Sequence, residues 1–240
     1  MLKNMYFVEE TASTNEVLQE MLRTKTLPEG FVVYTHYQTA GKGQIGNHWE
    51  SEKGKNLLFS MVLYPIELPI DQQFLISQLV GVAIKKSIDL FVENVSIKWP
   101  NDIYIGEKKL GGILIENSWK GMTIRQSVIG VGLNINQNKF VSDAPNPVSI
   151  SQLTGKMYDL DILLSNIIGN ILELFRQSDK KLIRNLYHQS LYRKKGFFNF
   201  KDNHESFNAQ IITVHPDGQL ELETETGIRK LFYFKEVQFV

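Results

Sequence analysis

Residues 95 to 116 read VSIKWPNDIYIGEKKLGGILIE, and this stretch decides how the middle of the chain folds. It is rich in β-branched and aromatic residues, and it is interrupted at Pro100 and at Gly106-Glu107. Proline cannot donate to a sheet ladder, so the chain turns there. The pattern predicts three closely spaced strands of a largely antiparallel, meandering sheet, which are Val95–Trp99, Ile103–Ile105 and Leu110–Glu116.

Similar patterns extend on both sides of this stretch. They predict further strands at Tyr6–Val8, Phe31–His36, Leu57–Leu63 and Ile124–Ile135. They predict helices that begin near Ser13 and that span Asp71–Phe91, Asp159–Arg176 and Lys180–Leu191. Residues 38–56 hold four glycines and three lysines with little apolar periodicity, which predicts a long loop, usually functional or disordered. The predicted fold class is α+β, with a mixed, largely antiparallel sheet flanked by helices.

The pattern changes at about Lys194. Three short strands follow, with an Asp217-Gly218 hairpin signal between the first two, and they are Phe207–Val214, Gln219–Thr224 and Ile228–Phe234. Three strands are the minimum that packs independently. We therefore predict a large domain at 1–194 and a small all-β domain at 195–240.

Composition excludes several classes of protein. The 240 residues include no cysteine, which excludes disulfides, thiolate metal sites and a cysteine acyl-enzyme. Lys plus Arg and Asp plus Glu number 26 each, a balance that argues against a nucleic-acid partner. The first ten residues carry carboxylates where a signal peptide needs an apolar run, and no apolar stretch approaches the roughly 20 residues that span a bilayer. The expectation is a cytoplasmic protein with no DNA and no membrane partner.

The long loop contains the first candidate site, the run from Gly41 to Trp49. Its glycines let the backbone approach a ligand and expose N–H groups to carboxylate or phosphate oxygens, and Lys42 adds a cation. The run is not a Walker loop, because the Gly-Lys-Ser/Thr ending is missing. A plain surface hairpin is the alternative interpretation.

The central stretch offers two more candidates. Asn101 and Asp102 follow Pro100 at a sharp corner, where a carboxylate can hold Mg²⁺ or orient an amine. Lys109 stands at the mouth of an apolar strand before two glycines, which suggests a cation aimed at a ligand that lies against bare backbone. The alternatives are an ordinary Asn-Asp turn and a solvated lysine beside a β-bulge.

Two weaker motifs complete the set. Gly130-x-Gly132-x-Asn134 clears space for a flat ring, and the amide offers the paired donor and acceptor that adenine matches. Ser13-Thr14-Asn15-Glu16 supplies polar groups, although Ser-x-x-Glu is also a capping box at the start of a helix.

In this order the motifs resemble those of the biotin–protein ligases. They are Ser-Thr-Asn, Gln-x-Ala-Gly-Lys-Gly-x-x-Gly-x-x-Trp, Lys-Trp-Pro-Asn-Asp, Lys-Leu-Gly-Gly-Ile-Leu and Gly-x-Gly-x-Asn. The resemblance runs from Ser13 to about Asn136, and the C-terminal strands look like that family's small SH3-like β-barrel. It is closest to the short type, which has no N-terminal DNA-binding domain.

The resemblance implies a two-step ligase. Biotin and ATP form biotinyl-5′-AMP with Mg²⁺, and a lysine of the biotin carboxyl carrier domain of a biotin-dependent carboxylase then takes the biotinyl group. Such an enzyme is expected to be a monomer or a weak homodimer. By position, the implied biotin ligands are Ser13, Thr14, Asn15, Gln38, Lys42, Gly43, Gln44 and Lys109. The implied ATP ligands are Asn47, Trp49, Asn101, Gly130, Gly132 and Asn134, and the implied catalytic residues are Lys98, Asp102 and Lys109, with Asp102 also on the metal.

The sequence departs from the family pattern at Ile45, because many members carry arginine at one or more of the positions of Lys42, Gln44, Ile45 and Asn47. That departure predicts weaker retention of the adenylate. The nearest rival is a lipoate–protein ligase, but its Arg-Arg-x-Ser-Gly-Gly-Gly-type loop is absent from this sequence. A biotin-binding module without turnover is a further alternative, against which Asp102 and Lys109 argue.

Overall fold

The computed structural model describes residues 4–44, 46–65, 67–141 and 146–240, and its main element is a seven-stranded mixed sheet. The spatial order is β1-β2-β3-β7-β6-β5-β4, in which β1 and β2 are parallel and the other neighbours antiparallel. The strands are β1 (Met5–Thr11), β2 (Val32–Gln38), β3 (Leu57–Leu63), β4 (Val95–Lys98), β5 (Asp102–Ile105), β6 (Lys108–Lys120) and β7 (Thr123–Leu133). The predicted α+β class and the meander through β4, β5 and β6 are confirmed.

Five helices accompany this sheet in the described residues. They are α1 (Thr14–Thr24), α2 (Phe74–Ile88), α3 (Ile150–Thr154), α4 (Leu160–Gln177) and α5 (Lys180–Gln189). Helix α2 is shorter than predicted at both ends, because a 3-10 turn precedes it and the exposed Leu90 and Phe91 lie beyond it. The short α3, which Ser149 caps by accepting from Gln152 N, was not predicted.

The two faces of the sheet bury different side chains, as the period of two along a strand requires. On one face, Phe59, Ile129 and their alternating neighbours join the main core beneath α2, α4 and α5. On the other face, Val62 and Val128 pack with Leu18 of α1 in a smaller cluster. Helix α1 covers only part of this second face of the sheet. The part next to Thr14, where α1 begins, is open. The candidate site lies there.

A second, five-stranded antiparallel sheet follows α5 in the order β11-β10-β9-β8-β12. Its strands are β8 (Phe198–Asp202), β9 (Ser206–Val214), β10 (Leu220–Thr224), β11 (Arg229–Phe232) and β12 (Val237–Phe239), of which β8 and β12 were not predicted. The predicted barrel is corrected to an open sheet, because β11 and β12 lie at opposite edges and do not pair. Buried residues of this sheet continue the main core, and the predicted boundary at residue 195 stays a prediction. None of the helices in the described ranges is long and apolar enough to cross a membrane.

Candidate active site

A cavity of about 690 Å³ opens on the α1 face of the large sheet, and the motifs predicted from the sequence meet in it. The predicted site residues that line it are Ser13, Thr14, Asn15, Gln38, Lys42, Gly43, Gln44, Asn47, Trp49, Lys98, Asn101, Asp102, Lys109, Gly130 and Gly132. Asn134 is the exception: it is buried, its N–H donates to Leu110 O, and it is not part of the lining. Side chains alternate between the two faces of the sheet along a strand, which would place Asn134 on the same face as Gly130 and Gly132. Strand β7 ends at Leu133, so Asn134 lies outside this alternating pattern.

Strand register explains why these residues meet. Ser60 of β3, Gly130 of β7 and Leu114 of β6 are cross-strand partners in one row. The next row contains Gly132 and Gly112, and Gly112 is in turn the partner of Asp102 on β5. Successive rows on one face lie two residues apart, or about 6.8 Å. Ser60 and Asp102 lie one row and three strands apart, so a ligand that reaches from one to the other crosses β7 and β6 over roughly 16 Å.

A polar network closes the cavity at the start of α1. Gln38 Oε1 accepts from Thr14 N at 2.9 Å and from the Thr14 hydroxyl at 3.1 Å. Ser60 is fully buried, and its hydroxyl lies 2.5 Å from Asn15 Oδ1 and 2.6 Å from Thr14 Oγ1. Asn15 Nδ2 donates to Glu116 Oε2 at 2.7 Å. These bonds fix the orientations of Thr14, Asn15 and Gln38 at this end of the cavity.

The capping-box interpretation of Ser13 and Glu16 is wrong. Ser13 stands at the N-cap of α1, but its side chain accepts no capping hydrogen bond. The Glu16 carboxylate instead pairs with Lys42 Nζ at 2.5 Å, which holds the glycine-rich run against the helix. That ion pair lowers the cost of charging Lys42 and raises its pKa, the hydrogen bond to Glu16 being the largest cause.

The glycine-rich run is a small hairpin and not a nest of free amides. Gly43 N donates to Asn47 O and Trp49 N donates to Gly41 O, each at 2.9 Å, so these amides are occupied. The hairpin faces the cavity with side chains, and two buried polar atoms, Gln44 Oε1 and Trp49 Nε1, have no hydrogen-bond partner among the residues that the structure describes. Unsatisfied buried atoms are costly, and a ligand that pairs with them recovers that cost. The unusual Ile45 lies outside the described residues.

The predicted adenine wall at Gly130 and Gly132 stays a prediction, and both glycines contact side chains of the protein itself. A Cβ on Gly132 would lie 2.5 Å from Trp49 Cε2, and a Cβ on Gly130 would clash with the Asn15 amide. The glycines therefore make room for two of the protein's own side chains. The Trp49 indole lies against Gly132 and also lines the cavity, so this wall offers an aromatic ring to a flat ligand beside the backbone of Gly130 and Gly132.

The corner after Pro100 supplies the charged groups. Lys109 Nζ pairs with Asp102 Oδ1 at 2.7 Å, with 24% and 23% of the two side chains exposed. Asn101 is fixed by donating to Ile113 O at 2.6 Å. Among the lining residues that the structure describes, the cations are Lys42, Lys98, Lys109 and Lys235, and the carboxylate is Asp102. The cavity therefore favours anionic ligands.

Several residues of the site were missed in the sequence, among them Ser60, which is buried beneath the cavity wall, and five residues of the C-terminal segment. Ser60 could have been noticed, because it is the one polar residue in the buried strand LLFSMVL. Phe234, Lys235, Val237, Gln238 and Phe239 reach the cavity from the far edge of the second sheet. No local pattern signals that contact, since it depends on how the two sheets pack. Trp99 Nε1, which donates to Gly218 O at 2.9 Å, is one of the bonds that join them.

Comparisons with known proteins give one family. Residues 7–134 match the model of the biotin/lipoate A/B protein ligase family. The bifunctional ligase/repressor BirA of Bacillus spizizenii is 28% identical over 96% of this chain and 72% of its own length. A biotin--[acetyl-CoA-carboxylase] ligase of Mycobacterium tuberculosis is 29% identical over 68% of this chain and 61% of its own. The biotin protein ligase of Aquifex aeolicus, solved with biotin and ATP, has the same fold, with a TM-score of 0.79 at 23% identity over 100% of both chains.

Proposed function

Because the chain belongs to the biotin/lipoate A/B protein ligase family, we propose that it activates biotin with ATP and joins it to a protein lysine. The intermediate is biotinyl-5′-AMP, and the acceptor is a lysine of a biotin carboxyl carrier domain. The observation that carries this proposal is one cavity with two different ends. Thr14 and Gln38 offer neutral hydrogen-bonding groups at the start of α1, and Lys109 with Asp102 offers charge at the corner after Pro100.

These two ends suit the two ends of biotin. The ureido ring needs acceptors and donors, which Ser13, Thr14 and Gln38 supply, and the valeryl chain then runs along the sheet toward Lys109. The rest of the cavity, beside Trp49, Lys98 and the hairpin, is left for the nucleotide. Biotin would thus bind at the start of α1 and ATP at the corner.

In the first step, a biotin carboxylate oxygen attacks the α-phosphorus of ATP and the bond to pyrophosphate breaks. Both reactants are anions, so the Lys109 ammonium between them stabilises charge that builds up in the transition state. Asp102 holds Lys109 in place through the 2.7 Å ion pair. Catalysis is then positioning and electrostatics, with no covalent enzyme intermediate.

Asp102 also fits a magnesium site. The described residues contain no group of three or more Asp, Glu or His side chains that could hold a metal. Mg²⁺ commonly binds through one or two carboxylates together with substrate phosphates and waters, and Asp102 is such a carboxylate inside a cationic cavity. When bound, the ion neutralises phosphate charge and the departing pyrophosphate.

In the second step, the amine of the carrier lysine attacks the acyl carbon, and AMP leaves. Asp102 is the carboxylate that can orient this amine, because it lies at the corner where the acyl group would end. The predicted monomer or weak homodimer, the absence of DNA and membrane partners, and the cytoplasmic location stay predictions.

The test is to incubate the chain with ATP, Mg²⁺, biotin and a biotin carboxyl carrier domain, and to locate the modification by peptide mass. Biotin on a single carrier lysine is expected, with none when ATP is left out or when that lysine is arginine. Parallel reactions replace biotin with lipoate. Transfer of lipoate but not biotin, or biotin binding without pyrophosphate release, would support one of the two rival functions and overturn this one.

A further inference from the structure

Lys98 is the cavity lysine whose surroundings the reaction does not explain. It ends β4, and its ammonium lies among three aromatic rings. The distances from Nζ to the ring centroids are 4.7 Å for Tyr104, 5.2 Å for Phe239 and 5.6 Å for Tyr192. The Tyr104 hydroxyl is 3.2 Å from Nζ. We call these three rings the Lys98 cage.

The Lys98 cage differs from the environments of Lys42 and Lys109. Those two ammonium groups pair with the carboxylates of Glu16 and Asp102. In the described part of the chain, no carboxylate lies within ion-pair distance of Lys98 Nζ, and burial lowers the pKa of Lys98 against the opposing effect of Asp102. Aromatic faces attract a cation without neutralising it. The caged ammonium, which lines the cavity, can therefore meet an anionic ligand without first separating from a carboxylate partner.

The third ring comes from a distant part of the sequence and is firmly held. Phe239 lies on β12, opposite Phe200 of β8, and the two rings are 5.0 Å apart. The residue after it is fixed at both ends: Val240 N donates to Asn199 O, and Val240 O accepts from Arg193 at 2.7 Å. Phe239 also lines the cavity. The position of its ring is thus set by the second sheet, and the position of Lys98 by the first.

We propose that Phe239 is a positioning residue that, with Tyr104, holds the Lys98 ammonium toward the ATP phosphates, so that the last strand of the second sheet takes part in nucleotide binding. This rests on the proposed function, in which Lys98 serves the ATP side of the cavity. A substitution in β12 should then change ATP affinity through Lys98 and leave biotin affinity alone.

Calorimetric titration of the full chain at saturating biotin tests this with α,β-methylene-ATP, which cannot release pyrophosphate. Phe239→Leu removes the aromatic face and should weaken binding of this analogue by roughly 3- to 30-fold. Phe239→Tyr keeps the face and should bind within about twofold of wild type on the same scale. Phe207→Leu is the matched control, because Phe207 carries Lys230 at 4.1 Å in the same sheet without lining the cavity. It should not change the affinity.

A double-mutant cycle separates positioning from a general structural effect. Lys98→Met removes the charge, and in that background Phe239→Leu should have no further effect on analogue binding. An equal loss in both backgrounds would show that Phe239 acts independently of Lys98 and would overturn the proposal. If Phe239→Leu does not fold, Phe239→Met fills a similar volume without a π face and is interpreted in the same way. Wild-type affinity for the analogue in Lys98→Met would also overturn the proposal about Phe239. The proposed ligase function is tested separately, by carrier biotinylation with the wild-type chain.

Discussion

Replacing Lys109 by alanine is expected to slow biotinyl-AMP formation by about 100- to 1000-fold, because it removes the cation between two anionic reactants. In free energy this is roughly 3–4 kcal/mol of transition-state stabilisation. The loss of the 2.7 Å pair with Asp102 also affects folding, since about three-quarters of each side chain is buried. A partly buried pair of this kind contributes about 1 kcal/mol, which lowers the Tm of a chain of this size by roughly 2–4 °C. The expected rate effect is therefore much larger than partial unfolding could produce.

The assay is pyrophosphate release at saturating biotin and ATP, with Tm recorded for each variant. Lys108→Ala is the matched control, because Lys108 is the exposed neighbour on the same strand and does not line the cavity. It should retain the wild-type rate. Lys109→Arg should retain only part of the rate, because the planar guanidinium of arginine does not replace the compact ammonium of lysine. A Lys109→Ala rate within threefold of wild type, or equal losses in Lys108→Ala and Lys109→Ala, would refute the reasoning.

Three further substitutions test other parts of the site. Gly132→Ala places a Cβ 2.5 Å from the Trp49 indole, so it should raise the KM for ATP and lower the free energy of unfolding by about 1–3 kcal/mol. Gly169→Ala has open space around it and should leave stability unchanged or slightly raised, so equal Tm values for the two variants would contradict this. Ser60→Ala and Ser87→Ala each remove a fully buried, hydrogen-bonded hydroxyl and should each lower the free energy of unfolding by about 1–3 kcal/mol. Only Ser60→Ala should raise the KM for biotin, and an unchanged KM in that variant would argue against a role of the α1 network in binding biotin. Asp102→Asn should raise the Mg²⁺ concentration for half-maximal activity by roughly tenfold or more, and an unaltered Mg²⁺ titration would remove Asp102 from the metal site.

Local patterns in the sequence determined much of the large sheet. The break at Pro100 and the turn at Gly106 define β4, β5 and β6, and the run Leu57–Leu63 matches β3 residue for residue. These elements depend on turn chemistry and on side-chain alternation over a few residues, which a sequence displays directly. The motifs of the site were likewise visible, since each is short and contiguous.

Only the tertiary structure decided how those motifs are used. Asn15 of α1 and Glu116 of β6 are 101 positions apart, and their hydrogen bond exists because α1 packs on one face of the large sheet. The packing of α1 and of the glycine-rich hairpin on this face gives the space beside Gly130 and Gly132 to Asn15 and Trp49, a role that a sequence motif cannot distinguish from ligand binding. Phe239 reaches Lys98 because the last strand of the second sheet lies beside the end of β4. Contacts of this kind are fixed by the burial of whole faces of sheets, and no short stretch of sequence encodes them.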